Sequence, residues 1–146
     1  MYNTSINKGN NMHTFFESNT YTVVTEFKRG HFSVEYSYAP DTTQLDLVFD
    51  PSDDYYHELT AKLDSGEWEH FISRVRVSYR GMHLSQQHQG SCVAEDIRAW
   101  FSMDKDQTVV SMVDEAVRIA NTKLRTLKQQ LNQDFMFDEI ETMAGE

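Results

Sequence analysis

The sequence predicts an α+β fold, and three observations carry that reading. Short runs before residue 90 alternate polar and apolar residues with a period of two. After it, apolar residues recur every three or four positions. Gly, Pro and Asp mark the joins between runs. The expected architecture is a roughly five-stranded antiparallel sheet in the order β-β-β-α-β-β, followed by one short and one long amphipathic helix packed on it. A length of 146 residues suits one domain, and 39 % hydrophobic residues suffice for a core. The expected division is a flexible leader at 1–13, a single α+β domain at 14–133, and an acidic–hydrophobic C-terminal tail at 134–146.

Residues 1–11 (MYNTSINKGNN) offer little to pack, and Met12 is an alternative native start. From Tyr21 the period is two, with Tyr21, Val23, Thr25 and Phe27 facing one way. Arg29-Gly30 gives a turn with a residue free to take positive φ. A second strand follows, in which Phe32, Val34, Tyr36 and Tyr38 alternate with polar residues. Pro40-Asp41 breaks it, and residues 44–49 read as a third strand with Leu45, Leu47 and Phe49 inward.

Asp50-Pro51 then predicts a helix start, because Asp can cap a free N–H and Pro needs none at the first helical position. Asp53 and Asp54 sit at the positive end of the dipole. Tyr56, Leu59 and Leu63 form the buried stripe, and Gly66 ends the helix. Residues 68–79 return to period two. Phe71, Val75, Val77 and Tyr79 share one face, and Arg74, Arg76, Ser78 and Arg80 share the other. Arg80-Gly81 turns the chain into a polar partner strand at 83–89, ending at Gly90.

Val93, Ile97, Trp100 and Phe101 give the short helix. Asp104 with Gln107 resembles a capping box and opens the long one over 107–132. Within it Val113, Val117, Ala120, Leu124, Leu127 and Leu131 follow at alternating steps of four and three, a heptad seam. Such a helix is about 39 Å long, and a six-residue strand spans only about 20 Å. One end must overhang the sheet, and the overhang calls for a partner.

Composition excludes several functions. Thirteen bases against 23 acids give a net charge of −10, which opposes direct binding of nucleic acid. No run of about 18 apolar residues is present, so no membrane span is expected, and a single cysteine fits a reducing, cytoplasmic compartment. The charge is also clustered. Residues 41–69 hold nine acids and one base, Lys62, for a net of −8, and residues 134–146 hold five acids and no base. Between these lie Arg74, Arg76 and Arg80, then Lys123, Arg125 and Lys128. The plainest account is a solvated surface, with the arginine heads paired to the acidic helix after Asp50. The sharper one is a negative surface made for a basic partner.

Candidate chemistry is sparse. Gln89-Gly90-Ser91-Cys92 resembles the Gly-Ser-Cys segment of papain-like proteases, but no histidine follows Cys92 as those enzymes require. Cys92 with His83 and His88 upstream is the alternative reading, a small enzyme or small-molecule-binding domain. His83 and His88 are five apart, which puts them on opposite faces of a regular strand. None of the six histidines has metal-ligand spacing, and no phosphate-binding or acyl-transfer motif occurs. No cofactor and no metal is expected.

The function expected is therefore a small non-enzymatic interaction protein that binds, and inhibits, a basic nucleic-acid-handling protein. Phage-type anti-restriction and anti-CRISPR inhibitors are similar in charge profile, a likeness of composition. The expected partner-binding residues are Asp50, Asp53, Asp54, Glu58, Asp64, Glu67 and Glu69, with Phe135, Met136 and Phe137 as anchors. Val117, Leu124, Leu127 and Leu131 are the expected homodimer seam.

Overall fold

The computed structural model describes residues 21–144, with side chains to Asp134. The proposed leader at 1–13 and the side chains of Phe135, Met136 and Phe137 lie outside the described residues. Among these residues the chain is α+β, with four antiparallel strands in the spatial order β1-β2-β3-β4 and three helices. The strands are β1 (Thr22–Arg29), β2 (Phe32–Pro40), β3 (Glu69–Tyr79) and β4 (Met82–Ala94). The helices are α1 (Asp54–Asp64), α2 (Ile97–Met103) and α3 (Thr108–Ala144).

The expected third strand is not there. Leu45–Leu47 is a single 3-10 turn, and Leu47 is 73 % exposed. In the meander β2 is flanked by β1 and β3, so β3 takes the place beside β2 that residues 44–49 were expected to fill. The first helix likewise starts later than Asp50. Asp53 is its N-cap, accepting from the Tyr55 amide at 3.1 Å, while Asp50 closes a turn of its own by accepting from the Ser52 amide and hydroxyl.

Both predicted hairpin turns are present. Arg80 and Gly81 have φ of 49° and 81° between the paired Tyr79 and Met82, the left-handed pair that a two-residue hairpin turn requires. β4 is longer than the polar run suggested. Ser91 adopts φ of 53°, and the strand passes Gly90 with a bulge and continues to Ala94. A second bulge, in β1 between Val23 and Thr25, turns Val24 toward the core and leaves Val23 exposed, which a strict alternation had reversed.

The core lies on one face of the sheet. Val34, Val75, Val77 and Phe71 are completely buried or nearly so, and each such burial contributes about 2 kcal/mol. Trp100 of α2 packs edge-on against Phe71, and Phe101 stacks on Tyr36. α3 lies across β4 and β3 through Val109, Met112, Val113, Ala116 and Ala120. Ala116 and Ala120 let the helix sit close, and Ser85 of β4 donates to the Ala116 carbonyl. The start of α3 differs from a capping box. Asp104 reaches across the loop to accept from the amides of Val109 and Val110, and Gln107 takes φ of 59°.

Candidate partner-binding surfaces

Asp50, Asp53, Asp54, Glu58, Asp64, Glu67 and Glu69 are all exposed. α1 sets their arrangement. Leu59 is wholly buried, Tyr56 and Leu63 are half-buried, and Asp54 and Glu58 stand one turn apart on the opposite side. Three of the seven have local duties: Asp50 and Asp53 hold backbone amides, and Glu67 pairs with Lys62 at 2.7 Å. Ser52's amide and hydroxyl hold Asp50 below the usual carboxylate range. Glu67, with Glu58 and Glu95 nearby, raises Lys62 above its ordinary value. Asp54, Asp64 and Glu69 make no hydrogen bond or ion pair among the described residues.

The basic stripe on β3 is not satisfied by α1. Arg74 is only 5 % exposed on the sheet face opposite α2 and α3, and its partners come from β2 and from Tyr21 just before β1. Its Nε donates to Ser37 Oγ at 2.9 Å, its Nη2 to Glu35 at 3.3 Å, and the guanidinium stacks 4.0 Å from the Tyr21 ring centroid. Burial and the neighbouring Arg76 pull Arg74 below its ordinary value, opposed by Glu35 and Tyr21. The expected pairing with acids after Asp50 is thus replaced, for Arg74, by a neutralising pair within the sheet.

Asp41 belongs to a joint that the sequence did not reveal. Its Oδ1 accepts from the Thr43 amide at 2.9 Å, and its Oδ2 from the Ser91 amide at 2.6 Å. His70 Nε2 lies 3.4 Å from the same oxygen and is buried without a hydrogen bond. Burial raises the Asp41 carboxyl, but the amides of Thr43 and Ser91 and the His70 ring outweigh it, so its pKa falls below the usual range. The end of β2, the start of β3 and the strained Ser91 of β4 meet at this carboxylate. One acid of the cluster is therefore structural.

Cys92 and the two histidines are not assembled into one site. Cys92 pairs in register with Phe71 on the core face, where it is buried with its Sγ 3.5 Å from Ser73 Oγ. His83 and His88 pair with Ser78 and Arg74, both on the other face. The extra residue at Leu84 removes the parity that had put the histidines on opposite sides. Burial pushes the thiol up despite its bonds with Ser73. Partial burial, then the charge of Arg76, lowers His83. No group of acids, cysteines and histidines among the described residues has a metal-binding arrangement.

A cleft of about 400 Å³ lies between α2 and the start of α3, lined in part by Trp100, Met103, Asp96 and Asp104. Those two carboxylates are engaged at helix starts, Asp96 by the Ala99 amide and Asp104 by Val109 and Val110.

The heptad seam divides. Val113 and Ala120 are buried, and Val117 and Leu124 pack beside the core. Leu127 and Leu131 are 36 % and 66 % exposed. α3 continues to Ala144 through the segment read as a tail. No described helix is long and apolar enough to cross a membrane. The chain matches no protein-family model, no curated protein and no solved structure.

Proposed function

We propose that this chain is a small, non-enzymatic interaction protein that engages and inhibits a basic, nucleic-acid-handling protein through the carboxylates on and around α1. The observation that carries this reading is the outward side of α1. Asp54 and Glu58 face away from buried Leu59, and Asp50, Asp53, Asp64, Glu67 and Glu69 are exposed nearby in sequence, with Lys62 the one base among residues 41–69. Carboxylates in such density raise encounter rates with a cationic surface and exclude anionic ones. Phe135, Met136 and Phe137 complete the proposed contact as apolar anchors. The exposed end of the α3 seam is the proposed self-association surface, and the unpaired, buried Cys92 thiol suits a cytoplasmic setting.

Affinity capture from the native cell tests this, using the wild type beside a variant with Asp53→Lys, Asp54→Lys and Glu58→Lys. The expected result is a basic nucleic-acid-binding protein retained by the wild type, released as salt rises, and lost with the variant. Capture that is indifferent both to salt and to these substitutions would overturn the electrostatic reading.

A further inference from the structure

The part of α3 beyond the sheet carries its charge in two blocks. Lys123, Arg125 and Lys128 lie within residues 121–128 with no acid among them. Asp134, Asp138, Glu139 and Glu141 follow with no base before the helix ends at Ala144. Burial against the sheet ends at Ala120, and Leu124 is the last half-buried side chain before Leu127 and Leu131 emerge. From Leu124 to the end of α3 the helix extends about 30 Å. Most helical stability in proteins comes from packing an amphipathic face, so the exposed apolar stripe calls for cover.

The order of the blocks selects the occupant and its direction. A second copy lying parallel sets base on base and acid on acid, on chains already strongly negative. A second copy lying antiparallel, crossing between Leu127 and Leu131, sets each basic block against the other chain's acidic block. The same crossing brings Leu127 and Leu131 of both chains together at the two-fold axis, an isologous contact that closes on itself. We propose that the exposed half of α3 docks antiparallel on the same half of a second copy. This rests on the reading of the seam as a self-association surface and specifies its geometry. Pairing neutralises the C-terminal acids, so the negative surface left for a third party is that around α1. The dimer offers it twice, which raises capture of a partner with two basic sites through effective concentration.

Sedimentation of the full chain at micromolar concentration tests the geometry. The wild type is expected to be dimeric. Lys123→Glu with Lys128→Glu in one variant, and Asp134→Lys with Glu139→Lys in another, should each weaken self-association by about tenfold or more. Mixing the two variants should restore a dimer, because each then carries the charge that the other needs. Circular dichroism confirms that the helix is retained in each. A dimeric wild type whose two variants also remain dimers, or whose mixture fails to re-associate, overturns the antiparallel arrangement and leaves self-association standing. A monomeric wild type overturns both.

Discussion

Arg74 Nε donates to Ser37 Oγ across the β2–β3 pair at 2.9 Å, and both residues are almost wholly buried on the sheet face away from α2 and α3. A guanidinium withdrawn from water this far needs its hydrogens occupied and its charge balanced, and Ser37, Glu35 and the Tyr21 ring supply this.

Removing one member should therefore cost more than a surface substitution. Arg74→Ala leaves Glu35 without its cation and Ser37 without its donor, and should destabilise the fold by about 2–3 kcal/mol. Ser37→Val removes the acceptor alone and should cost about 1–2 kcal/mol. Urea denaturation of both variants measures this. Losses confined to a few tenths of a kcal/mol in each would show that the pair is solvated.

Asp41 gives a pH dependence whose sign is fixed. Its carboxyl titrates lower in the folded chain than in the unfolded one, so on acidification the unfolded state takes up the proton first. The contribution of the Thr43, Ser91 and His70 contacts is fully present above the ordinary carboxylate pKa, about 4. It is lost as pH falls below that value, through the folded pKa. Asp41→Asn should lower stability by about 1–2 kcal/mol at neutral pH and flatten the acid limb of the stability curve. Denaturant titrations at neutral and acidic pH make the comparison, and an equal penalty at both would contradict this account.

Cys92 should behave as a core residue. Burial raises its thiol, and the strands hold it beside Ser73 and the Gln89 carbonyl. Labelling with a thiol reagent near neutral pH should run at least about tenfold slower than in the unfolded chain and accelerate with denaturant. Rapid labelling of the native protein would reopen the Cys92 chemistry that His83 and His88 suggested.

Local signals were legible in this sequence, and non-local joints were not. The period-two runs located the strands because one face of each is buried, and Gly30 and Gly81 marked hairpins because only a few residues tolerate positive φ. Leu45, Leu47 and Phe49 misled because alternation over five residues says nothing about whether a strand edge is free to receive them. The bulges at Val24 and Leu84 shift side chains between faces, and neither has beside it the Gly that can mark a bulge. Asp41 was counted with the acidic surface because its partners are 29 and 50 residues away in sequence. For the candidate surface, α1 was read well enough to place Asp54 and Glu58 outward. The pairing of Arg74 depended on strand register and had to wait for the structure.

The α3 seam gives a prediction that separates its two halves at one residue spacing. Ala120 is fully buried where the helix approaches the sheet, so Ala120→Leu adds volume with no space to receive it and should cost about 1–3 kcal/mol. Leu131 occupies the same stripe farther along and is 66 % exposed, so Leu131→Ala should change the stability of the isolated chain by less than about 0.5 kcal/mol. Any effect of Leu131→Ala should instead appear as a concentration-dependent loss of association, because the side chain is available to another molecule and not to its own core. Thermal denaturation of both variants at low and high protein concentration distinguishes these outcomes. A large loss for Leu131→Ala that does not vary with concentration would mean that its cover comes from within the same chain.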